Sequence, residues 1–167
     1  MLIITLERLQ RALNHVTAEL EDYGFWTEKV SDIGVELGWI AYCHGFFSNK
    51  IVVPAISASR LLERYWPGYC RSSLRGVLRH EFAHGVDHYH SDLLRRMRFR
   101  SVFCGGEYDE TKYVSEYAST SVGEDFAESA ATFLKFSGDP PRRYTRHRVI
   151  ARKLNFVRRI GQRLDNR

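Results

Sequence analysis

The sequence lacks the features of membrane, secreted and disulfide-rich proteins. Its longest apolar stretches, such as residues 51–56, are far too short to cross a bilayer, so no transmembrane helix is expected. The N-terminus lacks the basic start, the long apolar run and the small-residue cleavage site of a secretory signal peptide, so no such peptide is expected. The three cysteines include no C-x-x-C pair and argue against a disulfide framework or a cysteine-rich zinc site. We therefore expect a cytoplasmic protein, or one delivered by a non-classical route.

Length, composition and charge favour one globular domain over residues 1–167, with a basic C-terminal part. The chain has 167 residues, and 44% of them are hydrophobic, which is enough to build a core. The net charge of +5 is unevenly distributed, because residues 142–167 hold ten Lys or Arg against the single acid Asp165. That segment therefore carries +9 and the rest of the chain −4, which indicates a mildly acidic body with a basic end.

Hydrophobic spacing predicts an α+β arrangement. A first amphipathic helix is expected between Thr5, a plausible N-cap, and Gly24, on apolar residues three and four apart: Leu6, Leu9, Leu13, Val16 and Leu20. β-Branched and aromatic residues broken by glycines predict two or three strands over residues 33–56. A short helix is expected at Leu61 and Leu62. Residues 91–120 are expected to be irregular or partly helical, and another helix is expected over residues 122–136.

A helix capped by Ser72 or Ser73 carries a motif with metal chemistry, His80-Glu-Phe-Ala-His84. Residues four apart lie on one face of a helix, so both imidazoles can bind one ion. Glu81 is then beside the metal, where it can take a proton from a water that zinc has made acidic. The motif therefore predicts two zinc ligands and a general base.

A catalytic zinc needs a third protein ligand, and two kinds of candidate compete. His90 nearly fits the pattern H-E-x-x-H-x-x-G-x-x-H, but Asp87 occupies the glycine position and no methionine turn follows. Glu124 and Glu128 share a face of the downstream helix, whose apolar neighbours indicate burial. Buried carboxylates need partners, so a glutamate is the better candidate, and the choice between the two glutamates stays open at this point.

Two segments together resemble the catalytic domain of anthrax lethal factor and the related Pro-Pro endopeptidases. The first is 80–89, and the second is 117–128, in which a tyrosine is followed seven residues later by one glutamate and four residues after that by another. Ala83 replaces the glycine usual in the family's motif. The resemblance covers about a quarter of the chain, and outside the two segments no residue can be aligned.

The resemblance implies a role for each matching residue. Zinc would be bound by His80, His84 and Glu124, with Glu81 as the general base. Tyr117 would stabilise the oxyanion or assist the leaving amine, and Glu128 would orient a histidine ligand. It also implies a zincin-like single domain of the gluzincin type, with helices packed on a small mixed sheet. In zincins an edge strand holds the substrate, and the segment Trp39 to Val53 is the place expected for it.

We therefore predict a zinc-dependent endopeptidase acting on a protein or peptide substrate. The basic segment from Arg142 to Arg163 carries apolar residues at helical spacing and is predicted to be an amphipathic helix packed on the body. Its arginines could also bind an acidic partner, an anionic membrane surface or nucleic acid. The alternative function is a basic nucleic-acid-binding protein with a structural or vestigial zinc site.

Overall fold

The computed structural model describes residues 4–38, 49–54 and 73–166, and these are mostly helical with one small sheet. The helices are α1 (Leu6–Asp22), α2 (Glu28–Ser31), α3 (Leu74–Tyr89), α4 (Ser91–Arg96), α5 (Val122–Lys135), α6 (Arg142–Thr145) and α7 (Arg148–Asp165). The strands are β1 (Gly34–Gly38) and β2 (Lys50–Pro54), and two 3₁₀ turns cover Phe99–Ser101 and Tyr117–Ser119. This composition agrees with the predicted α+β class. None of the helices in these ranges combines the length and apolar content needed to cross a bilayer.

The sheet consists, within the described residues, of one parallel pair. Gly34 pairs with Lys50 and Gly38 with Pro54, so β1 and β2 run in the same direction. The described residues show this parallel pair alone, so the predicted mixed sheet stays a prediction. The two strands start side by side, because the Asn49 carbonyl accepts a hydrogen bond from Gly34 N–H at 3.0 Å. The predicted third strand, most of the segment 39–53 and the helix at Leu61 and Leu62 lie outside the described residues.

The helices predicted from apolar spacing form with the expected caps. Thr5 Oγ1 accepts a hydrogen bond from Arg8 N–H at 3.2 Å, and Ser73 Oγ accepts one from Gly76 N–H at the same distance. α3 packs against both α1 and α5, and α5 in turn packs against α7. The buried apolar residues of these helices belong to one contiguous cluster, which holds the motif-bearing α3 at the centre of the helical layer.

The basic C-terminal segment forms two helices, since the chain is extended at His147 between α6 and α7. The apolar side of α7 is buried in the core, through Ile150, Leu154, Phe156, Val157, Ile160 and Leu164. Lys153 is also fully buried, and its Nζ lies 2.7 Å from the carboxylate of Asp125 on α5. Most of the arginines of α7 remain exposed, so the segment is a packing element with a cationic outer face.

Candidate metal centre

The two histidines of the motif lie one turn apart on α3 and face each other. Their Nε2 atoms are 3.1 Å apart, and the ring centroids are separated by 4.8 Å. His80 is buried with 7% of its surface exposed, whereas His84 is half-buried. The middle of α3 is buried nearly all round, including Glu81.

α5 brings a carboxylate to the same point. Ser121 caps this helix by accepting a hydrogen bond from Glu124 N–H at 3.1 Å, which fixes the first turn beside α3. Glu124 Oε2 lies 3.1 Å from His80 Nε2 and 3.4 Å from His84 Nε2. That oxygen is buried, and neither imidazole makes a well-aligned hydrogen bond with it. Three potential ligand atoms therefore surround one small space.

The spacing of these three atoms fits a tetrahedral metal ion. Zinc bonds to imidazole nitrogen and carboxylate oxygen are about 2.0–2.2 Å long, which places neighbouring ligands of a tetrahedron about 3.3–3.5 Å apart. The observed separations of 3.1, 3.1 and 3.4 Å are close to that value. Two nitrogens and one oxygen are also a donor set that first-row divalent ions accept. The residues His80, His84 and Glu124 could therefore hold a metal ion.

A second carboxylate orients the first histidine. His80 Nδ1 lies 2.8 Å from Glu128 Oε1, and Ser115 Oγ donates a hydrogen bond of 2.7 Å to Glu128 Oε2. Ser115 is itself held by Ala118, whose N–H donates to Oγ at 3.1 Å. When Nδ1 donates its proton to Glu128, the lone pair of Nε2 points at the space shared with Glu124, as a metal ligand requires.

The electrostatics of the site favour a bound cation. Burial by itself lowers the pKa of His80, but the neighbouring carboxylates of Glu124 and Glu128 outweigh it and raise the pKa to about 10. Burial likewise opposes ionisation of Glu124, yet His80 and His84 lower its pKa to about 2. The pKa of Glu128 is lowered as well, against burial, by His80 and Ser115. Two ionised carboxylates thus face a pair of imidazoles, which is an environment that stabilises positive charge.

Glu81 and Tyr117 lie at the edge of this cluster. Glu81 is 5% exposed, and burial raises the pKa of its carboxyl group against the opposing effect of the two histidines. A raised pKa makes a carboxylate a stronger base. The Tyr117 ring centroid is 5.8 Å from that of His80. Burial and Glu124 raise the pKa of the Tyr117 phenol, so it stays protonated at neutral pH and can donate a hydrogen bond.

The alternative third ligand, His90, lies elsewhere. It ends α3, and its Nε2 is 2.9 Å from the hydroxyl of Thr27. The ligand group found among the described residues contains Glu124 and not His90. The departure at Asp87 explains this placement, since α3 continues through that position to Tyr89, where the histidine pattern needs a turn at a glycine.

Sequence reasoning missed one residue of the site and one support behind it. Ser115 lies in a stretch predicted only as irregular, and a serine there carries no signal of a contact with Glu128. Behind the site, Asp125 Oδ2 accepts a hydrogen bond from Cys104 N–H at 3.0 Å while its carboxylate pairs with Lys153. The helical spacing of α7 places Lys153 at the border of its apolar stripe, which is the one signal of its burial in the sequence.

Three comparisons, with models of protein families, with curated proteins and with solved structures, found no match to the chain. The resemblance to lethal factor and the Pro-Pro endopeptidases therefore rests on the two short segments 80–89 and 117–128.

Proposed function

We propose that the protein is a zinc-dependent endopeptidase with a zincin-like fold of the gluzincin type. The observation that carries the proposal is the convergence of His80 Nε2, His84 Nε2 and Glu124 Oε2 at separations suited to one tetrahedral ion. Three protein ligands leave a fourth position for water or substrate, which is the arrangement of catalytic rather than structural zinc sites.

Each residue of the site has a role in the proposed hydrolysis. Zinc, when bound, supplies a Lewis acid that polarises the scissile carbonyl and acidifies a water molecule. Glu81 removes the proton of the attacking water and passes it to the amine that leaves. Tyr117 donates its phenolic proton in a hydrogen bond to the oxyanion that develops on the carbonyl oxygen. Glu128 keeps His80 in the orientation and tautomer that present Nε2 to the ion.

The presence of a base distinguishes this function from a structural metal site. A structural zinc has four protein ligands and no acid–base residue next to it. Here Glu81 is buried next to the ligands without being one of them, in the helix that provides His80 and His84. The substrate would be a protein or peptide, as in the family that the two segments resemble.

Metal analysis and cleavage profiling together test the proposal. The purified protein should contain about one zinc ion per chain and should cleave members of a peptide library, with products identified by mass spectrometry. Glu81→Gln should retain zinc and lose cleavage by about 10²- to 10⁴-fold, the usual contribution of a general base. Glu107→Gln, a change of the same kind at an exposed position, should leave both unaffected. Undiminished cleavage by the Glu81→Gln protein would disprove the mechanism.

The alternative function, nucleic-acid binding with a structural or vestigial zinc, rests on the basic C-terminal segment. Packing in the core already accounts for part of that segment, because α7 buries its apolar face and Lys153 there. The exposed arginines remain available to a polyanion. Affinity for DNA or RNA that falls steeply with salt, in a protein that cleaves no peptide, would favour this alternative over the peptidase.

A further inference from the structure

A concave surface separate from the metal centre lies between α4 and α7. Its volume is about 800 Å³. The polar residues that line it are all hydrogen-bond donors: Arg96, Arg159, Gln162, Arg163 and Asn166. The buried Leu93 and the half-buried Met97 supply its apolar lining. We call this surface the arginine groove.

Among the described residues, no carboxylate pairs with the three arginines of the groove. The described lining includes no carboxylate, and none in these ranges lies within 4.0 Å of a guanidinium nitrogen of Arg96, Arg159 or Arg163. Asp92, one turn before Arg96, pairs with Arg95 at 3.0 Å instead. Arg159 and Arg163 are one turn apart on α7, so three like charges are held around one space.

The dipoles of α4 and α7 explain the positions of only two of the three arginines. Arg96 lies in the last turn of α4 and Arg163 in the last turn of α7, where a cation is stabilised by the negative end of the helix. Arg159 is more than a turn from the end of α7, and its guanidinium lies 5.2 Å from the Phe156 ring centroid, which restricts its orientation. A ligand that accepts hydrogen bonds from all three guanidinium groups accounts for the whole set.

We propose that the arginine groove binds a small ligand that carries two or more phosphate groups. A volume of about 800 Å³ lies within the range of about 300–1,000 Å³ typical of small-molecule sites. Guanidinium groups match phosphate oxygens in bidentate geometry, and the groove presents arginines and no lysine. None of its lining residues belongs to the metal centre, so the inference holds whether or not the protein is a peptidase.

Titration calorimetry of the full chain with inorganic tripolyphosphate tests this inference. The triple variant Arg96→Gln, Arg159→Gln, Arg163→Gln should weaken binding by about 100-fold or more, because several charge-assisted hydrogen bonds are removed. The matched control Arg8→Gln, Arg11→Gln, Arg148→Gln removes the same charge from exposed positions outside the groove and should bind within about twofold of the original protein. Circular dichroism of each variant establishes that it is folded.

Two further measurements distinguish a lipid headgroup from a soluble compound as the source of the phosphate groups. Flotation with vesicles containing phosphatidylinositol bisphosphate, competed by tripolyphosphate, would assign the groove to a lipid headgroup, whereas calorimetric binding without flotation would assign it to a soluble compound. The proposal is overturned if tripolyphosphate does not bind, or if both triple variants lose affinity equally, since the effect would then be one of net charge. It is overturned as well if a single-stranded oligonucleotide binds about 100-fold more tightly than tripolyphosphate and the groove variant abolishes that binding, since the groove would then be a nucleic-acid site.

Discussion

Glu128 and His80 are joined by a contact of 2.8 Å between Oε1 and Nδ1, and this contact sets the direction of the other ring nitrogen. His80 Nε2 then faces Glu124 Oε2 at 3.1 Å. The His80 imidazole of α3 therefore contacts two carboxylates of α5, one at each ring nitrogen. Ser115 completes the arrangement by occupying the second oxygen of Glu128.

Replacing Glu128 should weaken zinc binding without removing a ligand. Glu128→Ala leaves the three ligand atoms in place but frees the His80 ring, so zinc affinity should fall about 10- to 100-fold. Competition with a chromophoric chelator measures the dissociation constant. Ser115→Ala should have a smaller effect in the same direction, and the exposed Glu116→Ala should have none. Unchanged zinc affinity in Glu128→Ala would contradict an orienting role.

The identity of the third ligand is tested by zinc stoichiometry. Glu124→Ala removes the oxygen that lies within 3.4 Å of both imidazole nitrogens and should leave a protein without stoichiometric zinc. His90→Ala removes a contact with Thr27 and none of the three ligand atoms, so it should keep the metal. The reverse result, zinc retained in Glu124→Ala and lost in His90→Ala, would show that the assignment is wrong.

Local signals in the sequence predicted the elements that carry the site. The spacing of Leu9, Val16 and Leu20 and the cap at Thr5 are sufficient for α1, and the motif itself defines the face of α3 that binds a metal. Glutamate was favoured over His90 because a buried carboxylate needs a partner. The selection of Glu124 over Glu128 came only from the resemblance, since both lie on the same face of α5.

Contacts between distant segments could not be predicted in this way. Ser115 reaches Glu128 across thirteen residues, and Lys153 reaches Asp125 across twenty-eight. The three arginines of the groove come from two helices more than fifty residues apart in sequence. Periodicity reports which face of a helix is apolar, but the partner of a polar side chain depends on how helices are placed in three dimensions.

Tyr117→Phe should separate catalysis from metal binding. The change removes the phenolic donor but keeps the ring near His80 and all three ligands, so the protein should still bind stoichiometric zinc. The value of kcat should fall about 10²-fold with little change in KM, as expected for an interaction made mainly in the transition state. Steady-state kinetics on one cleaved peptide measures both. A change confined to KM would indicate substrate binding instead of oxyanion stabilisation.

The buried pair of Lys153 and Asp125 should make a large contribution to stability. Lys153→Met leaves the Asp125 carboxylate buried without its cation and should lower the free energy of unfolding by about 3–5 kcal/mol in urea denaturation. Adding Asp125→Asn removes the unpaired charge and retains an acceptor for Cys104 N–H, so the double variant should recover part of the loss. Arg148→Met, at an exposed position of the same helix, should change stability by less than about 0.5 kcal/mol.

Close packing of α7 against the end of α1 predicts opposite effects for two Gly→Ala substitutions. A Cβ added to Gly161 would lie 1.9 Å from the carbonyl oxygen of Tyr23 and 3.2 Å from the Phe25 ring. Alanine in a helix is otherwise favoured over glycine by about 1 kcal/mol, but a backbone atom cannot move aside as a side chain can, so overpacking should dominate. The free energy of unfolding of Gly161→Ala should therefore fall by about 1–3 kcal/mol.

Gly123 in α5 provides the matched control for Gly161. A Cβ there would lie 3.8 Å from Ser121 Oγ and 3.9 Å from His84 Cε1, which are ordinary contact distances. Gly123→Ala should raise the free energy of unfolding by up to about 1 kcal/mol and keep zinc, because it restricts the unfolded chain without crowding the metal centre. If Gly161→Ala and Gly123→Ala shifted the midpoint of urea unfolding in the same direction, the close approach of α7 to Tyr23 would not explain why position 161 needs glycine.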